Sequence, residues 1–362
     1  MELYFYNKDY QPIGIVDSYI SNLWTEKFRG AGEWEFETKM SSDLWAIIEE
    51  TRWVGMPDST NLMDIRTKRI RSHIDAGDIL TLTGRSLERI LFQRSLITST
   101  DFTGTLSDAV NRLILENFVS APDASRRVPN MVVPSKWSSK IAYSYPVDTV
   151  RRKLPVIDVL DDFCAAARVG YKISFDWSSK QFVFDLYDGV DYTKPTSPGY
   201  VEFSKSFDNL SNSELVQSDE NRFTRGIVLG RLGTSNVVQV IDSGATGLDM
   251  REVWIEGSSV ESKDSKDVDL PLAKYKAALN AHGKREYATR YTTKNFSCEV
   301  DPYQGFIYKE DYQLGDLVMV KDQYGYSEVS RIISVTNSAE VSKATIVPVF
   351  EPDEEHTITE QQ

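Results

Sequence analysis

Short segments in which apolar and polar residues alternate with a period of two crowd both ends of the chain. That alternation restricts them to strands with one buried and one wet face. The plainest is GEWEFETKM, Gly32 to Met40, where Trp34 and Phe36 interleave with Glu33, Glu35 and Glu37. Around it LYFYN, PIGIVD, SNLWTEKFRG, TRWVGMPDS, LMDIRTKRIRSHID and GDILTLTGRS read as further strands. SSDLWAIIEE is a short amphipathic helix with a serine cap, and SLERILFQRSL, opened by Ser86, is a helix closing the unit. An antiparallel meander curling toward a barrel hides so many short strands, and the pattern places it over residues 1–97.

The pattern changes near residue 98. TGTLSDAVNRLILENFV is a helix with Thr105 as N-cap. In LPVIDVLDDFCAAARVG, Pro155 suits the first turn, Val156, Leu160, Phe163, Cys164 and Ala167 share a face, and Gly170 ends the helix. The hairpin YKISFDWSSKQFVFDLYDG follows, so residues 98–205 read as an α+β unit of helices on a small sheet. A second antiparallel barrel is expected from residues 206–243 and 290–351. It is interrupted at 244–289 by a strand and a helix, LPLAKYKAALNAHG, stopped by Gly283. Residues 352–362 form a flexible acidic tail. The fold class is α+β and β-rich, with two barrels and intervening α+β material.

Tyr312 to Val335, YQLGDLVMVKDQYGYSEVSRIISV, is a hairpin whose Asp316, Asp322 and Glu328 and turn tyrosines fit either a ligand loop or repeated scaffold. An internal comparison favours scaffold. WVGMPDSTNLMDIRTKRI from Trp53 and LVMVKDQYGYSEVSRIIS from Leu317 superpose without a gap, pairing Asp58 with Asp322, Asp64 with Glu328 and Ile65 with Val329. Each is followed by another strand near the end of a strand-rich region, as two related barrels require.

Chemistry is sparse. Cys164 and Cys298 are the only cysteines among 362 residues, and His73, His282 and His356 are the only histidines, none in metal-ligand spacing. No nucleophile elbow, phosphate loop or dinucleotide fingerprint is present. The carboxylate pairs Asp161/Asp162 and Asp185/Asp188 could serve a glycosidase, yet 54 acidic residues make such pairs commonplace. SKDSKDVD lacks the central glycine and terminal glutamate of a calcium loop. No cofactor, metal or catalytic residue is assigned. A net charge of −13 argues against gripping a phosphate backbone, and no window reaches the apolar length of a membrane span. The aromatics Trp24, Phe28, Trp34, Trp53 and Trp254 fit core packing, a glycan platform or an intersubunit seam.

WTEKFRGAGEWEFE (24–37), ILTLTGRSLERILFQRSL (79–96), FVFDLYDGVDYT (182–193), VEFSKSFDNLSNSEL (201–215) and EDYQLGDLVMV (310–320) together resemble the tail hub proteins of siphophages. These correspond to the N-terminal hub region of tail-associated lysins and are related to the baseplate hub of contractile-tailed phages. The resemblance implies a non-enzymatic homotrimer at the virion tail tip, assembled in the host cytoplasm, with two barrels per subunit in a pseudo-sixfold ring around a channel. It implies contact with a distal tail ring or tail tube, the tape measure protein, and receptor-binding or fibre proteins, and passage of phage DNA without specific binding. An acidic channel wall would repel that DNA. Seam or channel candidates are Trp24, Phe28, Trp34, Trp53, Asp58, Asp64, Leu317, Asp322 and Glu328. A glycan hydrolase or carbohydrate-binding tip module is the alternative.

Overall fold

The computed structural model describes residues 2–353 apart from 58, 74–76, 152, 195–198, 208, 221, 243, 265, 289–292, 301–304 and 341–342. Of the expected tail, everything beyond residue 353 lies outside the described residues, and so does Asp58.

The N-terminal lobe comprises β1 (Leu3–Tyr6), β2 (Pro12–Val16), β3 (Ser21–Lys27), β4 (Glu33–Lys39), α1 (Ser42–Glu50), β5 (Trp53–Gly55), β6 (Leu62–His73) and β7 (Gly77–Ser86). The strands lie in the order β2-β1-β5-β6-β7-β4-β3, all antiparallel. The alternation of β4 is realised as read: Trp34 and Phe36 point inward with Trp24, Phe5, Leu80 and Leu82, and Glu33 and Glu35 are exposed. Helix α1, capped by Ser41 accepting the Leu44 N–H, lays Ile48 on this core.

A 3₁₀ turn, Leu87–Gln93, leads into the α+β unit of β8 (Thr100–Thr105), α2 (Leu106–Ile114), β9 (Met131–Val132), β10 (Pro146–Arg151), α3 (Val156–Ala167), β11 (Gly170–Asp176) and β12 (Gln181–Tyr187). Thr105 and Asp108 form a capping box on α2. Pro155 is the N-cap of α3 rather than part of its first turn, and the helix ends at Arg168, in the left-handed region at φ 57°. Gly170 is therefore not the stop. It is the first residue of β11, with a role described below.

The chain next makes β13 (Glu202–Phe203) and β14 (Ser211–Ser218), then β15 (Arg225–Leu232), β16 (Ser235–Asp242), β17 (Glu252–Glu256) and α4 (Leu272–Ala288). β15 and β16 fall within 206–243, where sequence placed the second barrel, yet they pair with each other and with β17 in a separate three-stranded sheet. Helix α4 covers that sheet through Tyr275 and Leu279 and runs through Gly283 rather than stopping there. A Cβ at Gly283 would meet Val228 Cγ2 at 2.3 Å, so this glycine serves close helix–sheet packing.

The C-terminal lobe adds β18 (Thr293–Glu299), β19 (Leu317–Lys321), β20 (Ser327–Glu340) and β21 (Ala344–Pro352). Its order, β14-β18-β21-β20-β19-β13, repeats β3-β4-β7-β6-β5-β1, except that β13 pairs parallel with β19 where β1 pairs antiparallel with β5. Even the irregularity recurs. β6 is bulged between Ile65 and Thr67 opposite Gly84, and β20 between Ile332 and Ser334 opposite Phe350. Aligned on the bulges, Ile65 matches Ile332 and Asp64 matches Arg331, whereas Trp53 still matches Leu317. The gapless match of Asp64 to Glu328 is thus off by three. The span from Met319 to its partner Val329 is three residues longer than that from Gly55 to Leu62.

Two closed barrels do not form among the described residues. The lobes are halves of one 13-stranded sheet, because β3 gives its outer edge to β20 of the other lobe instead of closing its own. Each half curls over its own core, Phe203, Tyr312, Val318, Ile332 and Phe350 filling the second.

Candidate functional site: the joint between the lobes

Along the joint, Ser334–Glu340 of β20 pairs antiparallel with Ser21–Lys27 of β3. The Thr25 and Thr336 hydroxyl oxygens lie 2.9 Å apart across it. Where β3 ends, Phe28 binds three units together. Its N–H donates to the Ile333 carbonyl at 2.8 Å, and its carbonyl accepts from Tyr171 N–H of β11 at 3.2 Å. Its ring is only 1% exposed and meets Tyr187 edge-on at 5.3 Å, with the Arg29 and Arg331 guanidinium carbons each 5.5 Å from its centre. Only glycine fits beneath that ring: a Cβ at Gly170 or Gly315 would come within 2.3 or 2.4 Å of it.

Buried polar groups complete the junction. Asp316 accepts Val190 N–H at 2.7 Å and Gln313 N–H at 2.6 Å, fixing the chain leaving β12 to the second lobe. Asp353 accepts from Arg168 and Arg331. Beside Phe28 a cavity of about 330 Å³ is lined by Glu26, Glu88, Lys172, Tyr187, Tyr308 and Lys309 among others. Glu26 accepts from Asn61 at 2.6 Å, the Tyr308 hydroxyl at 2.7 Å and Lys309 at 3.1 Å. Glu88 accepts from Ile173 N–H at 2.7 Å and from Ser86, and desolvation by burial raises its pKa. These carboxylates hold the three units in register.

The sequence candidates separate into three groups. Trp24, Phe28, Trp34 and Trp53 are interior residues of the chain, which removes them from any surface seam. Period-two alternation marks a side chain as inward without saying whose core receives it. Asp64 is buried amid Arg52 at 3.0 Å, Arg89 at 3.8 Å and Arg66, and desolvation outweighs these cations to raise its pKa. Leu317, also buried, donates its N–H to Val190. Asp322 shapes the β19–β20 turn by accepting the N–H groups of Tyr324 and Tyr326, while Glu328 sits in the ladder opposite Val320. Phe28 and Leu317 thus meet at the junction through Gly315, Asp316 and Val190, and the others do not. Asp316 was marked by sequence only as one acid of the hairpin, and Arg331 and Asp353 carried no signal, since the groups they meet, Phe28 and Arg168 among them, lie far away along the chain.

The carboxylate pairs have structural partners. Asp185 accepts Ser138 N–H and Oγ, Asp188 accepts Ser139 Oγ and Lys140 N–H, and Asp161 accepts the Tyr171 hydroxyl. Both cysteines are buried, with thiols held far above their ordinary pKa by desolvation. Among the described residues no three His, Cys, Asp or Glu converge as a metal site. The sheet face away from the first core is of mixed sign: Glu33 pairs with Lys27 and Arg85, and Glu37 with Arg71.

The chain shares its fold with a tail protein of Neisseria meningitidis MC58 (TM-score 0.59, 15% identity, 97% of this chain and 96% of that one covered). It also matches the 43 kDa tail protein of prophage MuSo2 from Shewanella oneidensis (TM-score 0.58, 11% identity, 97% and 98%). Prophage tail protein gp18 from Listeria monocytogenes EGD-e follows (TM-score 0.51, 10% identity, 99% and 97%). No curated protein sequence matches. The family model for the Siphovirus ReqiPepy6 Gp37-like protein, however, matches residues 2–350 continuously, through both lobes and everything between them, and the chain belongs to that family.

Proposed function

We propose that this chain is a structural protein of a phage tail, and that three copies form a ring at the tail tip. The observation that carries the reading is the joint: two equivalent sheet lobes fixed edge to edge by β3 and β20. Such a chain presents two copies of one shape, so a threefold ring of it has a sixfold-like wall that matches a hexameric tube. The ring gates or extends the tail tube and anchors receptor-binding or fibre proteins. The tube or distal tail ring and the tape measure protein are its axial partners. DNA passes a mixed-sign wall on which Lys27, Arg85 and Arg71 are paired with Glu33 and Glu37, which weakens their hold on phosphates.

The test is light scattering with negative-stain imaging of the purified chain, alone and with its tail-tube partner. Rings of three chains with six similar lobes are expected. A species that stays monomeric or dimeric under both conditions refutes the proposal.

A further inference from the structure

The in-chain joint uses one of two equivalent pairs of edges. In it β20 runs on past β19, and Ser334–Glu340 pairs with β3. By the strand equivalence, the counterpart of that segment is Thr67–His73 of β6, and the counterpart of β3 is β14. β5 covers β6 only over Leu62–Asp64, so the edge facing away from β7 has no ladder partner over 67–73 among the described residues. Residues 66–72 are all exposed, whereas Val335 and Ala339, which match Lys68 and Ser72, are buried under the joint. β14 ends the strand order of the sheet, with Glu214, Val216 and Gln217 exposed.

We propose that these two edges join between copies of the chain, Thr67–His73 of one subunit pairing antiparallel with Asn212–Ser218 of the next. This rests on the ring reading above and names its seam. The in-chain register fixes the intersubunit one. Trp24 lies opposite Trp34 as Leu215 lies opposite Phe296, so Trp24 matches Leu215. Ser334 opposite Lys27 then becomes Thr67 opposite Ser218, which sets Arg69 against Val216, Ile70 against Leu215 and Arg71 against Glu214.

Side-chain chemistry fits this register. Ile70 (43% exposed) borders Met40 and Trp45 at the first core, and Leu215 packs on the second, so their meeting makes one core across the seam. Val216, 45% exposed, is covered by the Arg69 stem. Arg71 already holds Glu37 at 2.8 Å, and a guanidinium has donors left for Glu214. The contact is head to tail, and three in-chain joints alternating with three of these close a ring.

The test uses the full chain carrying Arg69→Cys and Val216→Cys. The matching in-chain positions, Thr25 and Thr336, are in hydrogen-bond contact, so a disulfide fits there. Cys164 and Cys298 are buried and stay silent. Oxidation is expected to give reducible two- and three-chain species, and the pair Arg69→Cys/Glu214→Cys, out of register, about tenfold less or none. Ile70→Asp is expected to weaken trimerisation at least ~10-fold with unchanged melting of the dissociated chain, because it buries a charge only at the seam. A trimer by light scattering that neither cross-links at 69/216 nor responds to Ile70→Asp overturns this seam and leaves the ring standing. A chain that is monomeric throughout and never cross-links overturns both.

Discussion

Phe28→Ala removes a side chain that touches both lobes and the α+β unit. A fully buried phenylalanine replaced by alanine costs about 3–5 kcal/mol, the upper part of the range applying where the site cannot collapse. Here it cannot. The ring is walled by the backbone of Gly170 and Gly315 and by the edge of Tyr187, and two arginines would be left facing the void. We expect about 4 kcal/mol.

The melting shift then reports the size of the cooperative unit. At about 2.1 cal/mol/K per residue, 362 residues melting together have an entropy near 0.76 kcal/mol/K, and Tm falls by about 5 °C. A 100-residue unit melting alone would fall by about 20 °C. Calorimetry distinguishes these, and urea unfolding followed by tryptophan fluorescence gives the free energy. Because Phe28 is shared, one transition shifted by a few degrees is expected. Phe36→Ala, equally buried but within the first lobe alone, is the control. A Phe28→Ala loss below about 1 kcal/mol would refute the reasoning, since a loss that small belongs to surface positions.

Glu88 ionises above the ordinary carboxylate pKa because it is buried, so its contribution is fully present below that pKa and is lost as pH rises through the raised value. Glu88→Gln does not titrate, and its Tm relative to the parent should climb as pH increases from about 4.3. A pH-independent gap in scanning fluorimetry would contradict this. Gly189→Ala places a Cβ 1.8 Å from the Gly315 carbonyl oxygen, backbone against backbone, and should cost about 3 kcal/mol or more in urea unfolding. A neutral Gly189→Ala would mean that the chain entering the second lobe shifts freely away from Gly315.

Sequence conveyed the lobes' strands and their duplication well, because burial on one face imposes period two, as Trp34 and Phe36 display. It could not convey which edges meet. Alternation is the same in β3, paired across to β20, and in β15, committed to a separate sheet. Hence the expectation of two closed barrels and of 225–242 within one of them. Gly170 and Gly283 read as helix stops, whereas their use is to admit Phe28 and Val228, contacts set by distant parts of the chain. Of the junction, sequence drew attention to Phe28, Asp316 and Leu317 but not to the distant groups they meet.

The joint also carries a temporal consequence. Thr25 and Thr336, which meet across it, are 311 residues apart. At about 5–20 residues per second, a ribosome needs roughly 15–60 s to supply the second after the first. Throughout that interval the edge of β3 that will receive β20 stands bare, bearing Leu23 among Asn22, Glu26 and Lys27. Nascent chains on one polysome could align such edges side by side. The charges at Glu26 and Lys27 are placed to discourage that misalliance until β20 emerges.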